Sequence, residues 1–117
     1  IKCDWSSERV LFRSINGHAA GLGATLALMC DITFVADHAK ISDPHVRVGL
    51  VAGDGGAVMW PQLIGYARAK EYLLTGKPIS APEAEKIGLI NYAVPLDELF
   101  AIALHGEIND SFSKDTT

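Results

Sequence analysis

Cysteine is scarce in this chain. Only Cys3 and Cys30 occur in 117 residues, and neither has a metal-ligand or redox spacing. A disulfide-stapled scaffold and a zinc ribbon are therefore not expected, and no metal site is assigned. Positive charge is not in excess either. Ten Lys and Arg against fourteen Asp and Glu leave a net charge of −4. No basic stripe tracks along the sequence, so nucleic acid is not the expected partner. A long apolar run is also missing. Residues 14–30 carry no charge, but Asn16, Gly17, His18, Gly21 and Gly23 interrupt them, and no membrane partner is expected. The first residues lack a signal-peptide pattern, which makes a reducing, cytoplasmic setting the expectation. Two nucleotide fingerprints are absent as well. Gly21-Leu22-Gly23 is followed by Ala24-Thr25-Leu26, not by a third spaced glycine, and no Gly-Lys-Ser/Thr occurs.

What remains is a globular balance, 49% apolar and 21% charged. Residues 1–8 have no period and read as an irregular segment. The run at 9–15, RVLFRSI, reads as a strand ended by Asn16-Gly17. Leu22, Leu26 and Met29 fall at i, i+4 and i+7, which predicts a helix over 22–29. Strands are expected at 32–36 and 40–42, and Pro44 forces a turn after them. Four glycines lie within 49–56 and lead into a short helix at 55–64, which Pro61 shortens or bends. A better helix covers 66–75 and stops at Gly76. Ser80-Ala81-Pro82-Glu83 has the form of a capping box, and Gly88 the form of a left-handed stop. A strand at 89–94 and a last helix from Asp97, with Leu96, Leu99, Phe100 and Ala103 on its apolar face, complete the pattern. Residues 105–117 form a polar tail. Strands alternate with helices, so the class is α/β.

Chemistry is expected at the glycine-rich turn. A helix start leaves backbone N–H groups unpaired and partially positive, and small residues let a ligand approach them. Such a turn suits a phosphate or a developing oxyanion, or it serves only tight packing. His45 is either an acid–base group, since its reference pKa lies near neutrality, or a loop histidine that satisfies the backbone. Asp54, within Gly53-Asp54-Gly55, reads from its position before a helix as an N-cap. His18 lines a pocket or packs. Asp43 reads as a solvated or a turn residue, Cys30 as a core residue, and His38 and His105 as surface residues.

Several residues together carry a resemblance. Asn16-Gly17-His18-Ala19-Ala20-Gly21-Leu22-Gly23, followed by Cys30-Asp31, and later Thr75-Gly76-Lys77-Pro78-Ile79-Ser80-Ala81-Pro82-Glu83-Ala84, resemble the enoyl-CoA hydratase/isomerase family, the crotonase superfamily. The likeness runs from about residue 9 to about 104, taken as a core fragment of a longer domain. It implies a partial crotonase-like spiral of ββα units and an acyl-CoA thioester partner. It implies no cofactor beyond the coenzyme A of the substrate, and a homo-oligomer built on trimers for the full-length protein. The resemblance places the second oxyanion donor on the backbone N–H of Leu22, with Ala20, Gly21, Gly53 and His18 around the substrate. It puts Thr25 and His45 where hydratases carry catalytic glutamates. Thr25 cannot act as a base near neutral pH, and His45 or Asp54 becomes the candidate proton carrier. Strict hydratase activity is therefore not expected, while double-bond migration, thioester hydrolysis and decarboxylation stay open. A non-catalytic acyl-CoA-binding or assembly subunit is the alternative, or an inactive truncated fragment.

Overall fold

The computed structural model describes residues 12–105 along the backbone, and side chains of residues 13–102. The expected segments at 1–8 and beyond 105 and the start of the strand at 9–15 lie outside the described residues, as does the side chain of Ala103.

Two small sheets are interleaved by helices. β1 (Phe12–Ile15) pairs in parallel with β3 (Ile32–Ala36), and β3 with β6 (Tyr92–Val94), giving the order β1-β3-β6. β2 (Ala19–Ala20) pairs in parallel with β4 (Lys40–Ser42), and β4 pairs antiparallel with β5 (Ile79–Ser80). Each successive unit lays one strand on each sheet before its helix. The units are β1-β2 with α1 (Leu22–Leu28), then β3-β4 with α2 (Gly56–Ile64) and α3 (Tyr66–Thr75). This is the expected ββα spiral in partial form. α4 (Ala81–Ile87) and α5 (Leu96–His105) close it.

Parallel strands buried on both faces read as continuous apolar runs. Accordingly Thr33, Phe34, Val35 and Ala36 of β3 are all buried. Phe34 stacks on Tyr92 of the neighbouring strand with ring centroids 5.2 Å apart. Trp60 of α2 is fully buried and meets Tyr72 of α3 at 5.9 Å. Large aromatic side chains of this kind each contribute about 1.5–3 kcal/mol on burial.

Local signals place the helix ends. The Ser80 hydroxyl accepts the Glu83 amide at 3.4 Å, and Pro82 sits in the first turn of α4. Gly88 ends α4 in the left-handed region at φ 87°. Pro61 lies inside α2, which ends within one turn of it at Ile64, with Gly65 as the cap.

Two expectations, the strand over 89–94 and Cys30 as core, need correction, and α1 shows an orientation that its period did not specify: the apolar stripe Leu22, Leu26 and Met29 faces outward. The buried side is Ala24, Thr25, Ala27 and Leu28, because small residues let the helix approach its neighbours closely. The strand expected over 89–94 is confined to Tyr92–Val94, since Leu89 and Ile90 are buried in the turn that leaves α4. Cys30 is half-buried rather than in the core.

Candidate active site

The glycine-rich turn lies where β2 hands over to α1. Gly21 adopts φ 55°, ψ −125°, and its amide donates to the Ser42 carbonyl at 3.0 Å. That bond pins the turn against the end of β4. Leu22 is the first residue of α1, a position whose amide has no acceptor within the helix, and its side chain is 55% exposed. Thr25 is buried, and its hydroxyl donates to the Gly21 carbonyl at 3.3 Å.

β4 ends at Asp43-Pro44. Pro44, at φ −87°, opens one turn of 3-10 helix, His45–Val48, which Gly49 closes in the left-handed region. The restricted Pro44 backbone sets Asp43 and His45 on a fixed short bend. Oδ1 of Asp43 contacts Nδ1 of His45 and also accepts the His45 amide at 3.4 Å. On the other edge of the ring, Nε2 of His45 lies 3.2 Å from Oδ2 of Asp54. Asp54 reaches this point from the loop before α2. The ring therefore sits between two carboxylates, each against a different nitrogen.

Burial grades these groups. Asp43 is 1% exposed, while His45 and Asp54 are each about a fifth exposed. Among the described residues, Oδ2 of Asp43 and Oδ1 of Asp54 have no hydrogen-bond partner. The His45 pKa is raised above 6.5. Its hydrogen bond to Asp43 is the main cause. Partial desolvation opposes this shift, and the charges of Asp43 and Asp54 add to it. A proton on Nε2 would make the contact with Asp54 a charge-assisted hydrogen bond.

Two glycines make room for the array. A Cβ on Gly21 would lie 3.5 Å from Cε1 of His45, so the ring edge faces the glycine-rich turn. A Cβ on Gly56 would collide with Oδ2 of Asp43. Gly21, Thr25, His45 and Asp54 are thus brought together, with the Leu22 amide next along the chain. Ala20 pairs with Ser42 in the sheet beside them. Gly53 precedes Asp54 in an exposed loop, its amide donating to the Val51 carbonyl at 2.7 Å. His18 is exposed and engaged with β4, its Nδ1 accepting the Lys40 amide at 3.0 Å.

Asp54 is not the cap of α2. Gly55 holds that position and no side chain caps the helix, so the carboxylate is directed to His45 instead. Asp43 is not solvated: it is the most deeply buried member of the array, and its part in the site was not read from the sequence. The signal available was its spacing two residues before His45 across a proline, together with the Gly55-Gly56 pair. Donor atoms of Asp43, His45 and Asp54 lie within 4.8 Å of one another. The ring separates the two carboxylates, which suits a proton relay better than a single ion. A groove of about 550 Å³, lined by Lys40, Arg68, Tyr72, Lys77 and Glu83, lies between α3, α4 and β5 and contains none of these residues.

Strands that stack from one ββα unit to the next, with a histidine–carboxylate array facing a glycine-rich turn, define an α/β protein of spiral type with a polar cluster at a strand-to-helix crossing. Within that class, the family model described as enoyl-CoA hydratase/isomerase matches residues 5–111, and the chain belongs to that family. It is 44% identical over 94 residues to a short-chain-enoyl-CoA hydratase of Clostridioides difficile, covering 80% of this chain and 60% of that protein. It is 40% identical over 92 residues to a crotonyl-CoA hydratase of Syntrophomonas wolfei, covering 79% of this chain and 35% of that one. A crystal structure of an enoyl-CoA hydratase from Geobacillus kaustophilus superposes with a TM-score of 0.79 at 38% identity, over 85% of this chain and 38% of that chain. The chain thus spans between about a third and three fifths of the length of these relatives. Among the described residues, no helix is long and apolar enough to cross a membrane.

Proposed function

We propose that the intact protein acts on acyl-CoA thioesters, with the Leu22 amide as one donor of an oxyanion hole and the His45–Asp54 pair as proton carrier. The observation that carries this reading is the position of His45, its Nε2 3.2 Å from Asp54 and its Cε1 edge against Gly21. A proton carrier therefore stands beside the backbone turn that would hold the thioester oxygen. Hydrogen bonding to that oxygen stabilises the charge that develops when a proton leaves the α-carbon. The C–H electron pair moves into the carbon–carbon bond, the carbonyl electrons move onto oxygen, and the Asp54 carboxylate takes the proton and shares it with Nε2 of His45. The pair then returns it, so it serves as base and acid in turn.

Thr25 and His45 stand where the family's hydratases carry glutamates, so one carrier replaces two. The reading favours one-base chemistry such as double-bond migration over water addition. The hydratase names of the relatives pull the other way, and the distinction is experimental. Exposed apolar side chains at Leu22, Leu26 and Met29 support assembly of the intact protein as a homo-oligomer.

The test is turnover of a panel of enoyl- and acyl-CoA thioesters by the intact protein and by its His45→Gln and Asp54→Asn variants. Turnover is expected to fall about 10²- to 10⁴-fold in His45→Gln, with thioester binding retained. Turnover unchanged by either substitution overturns the assignment of the carrier. Binding without any turnover identifies an acyl-CoA-binding subunit instead, a reading favoured by the loss of both glutamates.

A further inference from the structure

We propose that Asp43 is the positioning residue of this site: it fixes the His45 ring in the Nδ1–H tautomer and so makes Nε2 the working nitrogen. The inference rests on the reading of His45 as proton carrier and deepens it. One oxygen of Asp43 does two things. It accepts the His45 backbone amide at 3.4 Å and meets Nδ1 of the same residue. An oxygen that accepts from the backbone presents lone pairs, not a hydrogen, so Nδ1 must donate. In the neutral ring the remaining lone pair then lies on Nε2, the nitrogen that faces Asp54. Free imidazole side chains prefer the opposite tautomer, so a partner has to impose this one.

Asp43 has the anchorage this role needs. It is 1% exposed. Its second oxygen fills the space that a side chain on residue 56 would take. Pro44 separates Asp43 from His45 and restricts the backbone between them. A solvated turn aspartate would swing freely; this one is wedged between the end of β4 and the start of α2. Among the described residues, the charged groups paired with His45 are Asp43, from the β4 end, and Asp54, from the loop before α2, while Gly21 before α1 lies against the ring edge. Arg47, on the same turn, packs instead over Gly76 at the end of α3.

The experiment is a ¹⁵N NMR titration of His45 in wild type, Asp43→Asn and Asp43→Ala, paired with steady-state kinetics of the intact protein. In wild type, the neutral ring is expected to keep its proton on Nδ1. Asp43→Asn should lower the His45 pKa toward 6.5, and Asp43→Ala should also return the neutral ring to the Nε2–H form. In both variants kcat should fall roughly tenfold or more with KM unchanged, and the limb of the pH–rate profile that reports His45 should move with the NMR titration. Gly56→Ala, which displaces the Asp43 carboxylate without altering its charge, should give the same tautomer change. If the alanine variants fail to fold, the wild-type tautomer and the Asp43→Asn titration decide the matter. A wild-type neutral ring protonated on Nε2, or a His45 pKa and tautomer indifferent to all three substitutions, overturns the proposal. Turnover that survives His45→Gln while the tautomer follows Asp43 overturns the proton-carrier reading instead, so the two failures are told apart.

Discussion

Thr25 of α1 and Gly55 at the start of α2 pack methyl against backbone, so closely that a Cβ on Gly55 would stand 2.5 Å from Cγ2 of Thr25. Gly55 also holds φ 123°, a conformation that L side chains rarely adopt. The contact brings the loop that carries Asp54 against the helix that begins with Leu22. The two halves of the site come from different ββα units, and this touching point fixes the distance between them.

Gly55→Ala is therefore expected to destabilise the protein by about 2–4 kcal/mol, combining backbone strain with overpacking. Chemical denaturation of wild type and variant measures it. Because Asp54 is the neighbouring residue, the His45 titration should shift in the same variant. A variant as stable as wild type would show that the loop can move away from α1 without cost.

Stability should depend on pH through His45. Its folded pKa is raised above the unfolded value of 6.5, chiefly by the hydrogen bond to Asp43. A group whose folded pKa is raised binds its proton more tightly in the folded state. The stabilisation is thus fully present below pH 6.5 and is lost as pH rises through the higher folded value. Denaturation midpoints are expected to fall as pH rises above 6.5, and His45→Gln should flatten this slope. A midpoint that rises over the same interval would contradict the sign.

Much of this architecture was legible in the sequence, for reasons that differ between elements. α4 could be read from both ends, because Ser80 satisfies an orphan amide and Gly88 supplies a left-handed stop. Both are local devices that need no tertiary partner. α1 was legible as a period but not as an orientation. A stripe at i, i+4 and i+7 says that one side is apolar, not that this side is covered, and here Ala24 and Ala27 allow the closer approach. β2 and β5 span two residues each, too few to show any alternation, and exist only through their pairing with β4. Within the site, His45 and Asp54 were marked by type and by the glycines around them. Asp43 was not, because its burial depends on the missing side chain of Gly56, which lies far along the chain.

The outward stripe of α1 has its own consequence. Leu22, Leu26 and Met29 are exposed, as are Val48 at the end of the 3-10 turn and Leu50 and Val51 beyond it. Apolar surface on this scale favours association. The 117-residue chain is expected to scatter light as an oligomer at micromolar concentration, and Leu26→Lys with Met29→Lys should reduce its mass. A clean monomer for the unmodified chain would count against assembly through this face.

Hydration of an enoyl thioester needs one group to take a proton from water and another to deliver a proton to the α-carbon. Thr25 can do neither, since its hydroxyl is buried and bonded to the Gly21 carbonyl. His45 and Asp54 share one contact at 3.2 Å, and on the proposed reading they act as a unit and supply a single carrier. Losing one acid–base group costs about a hundred- to ten-thousandfold in rate, and the intact protein should hydrate crotonyl-CoA slowly for its family. Glutamates at both positions, Thr25→Glu with His45→Glu, would restore two carriers. The carboxyl introduced by His45→Glu would stand beside Asp43 and Asp54. Like charges at that distance hold a proton on the cluster, which leaves it able to act as the acid. The carboxylate introduced by Thr25→Glu would act as the base. Thr25→Glu removes the hydroxyl that bonds the Gly21 carbonyl, but the backbone amides of the turn that would hold the thioester oxygen remain in both changes. Loss of the enoyl-thioester absorbance should therefore be faster for the double variant than for wild type. Wild-type hydration at the rate of an ordinary hydratase would mean that the proton carriers lie elsewhere, outside the array of Asp43, His45 and Asp54.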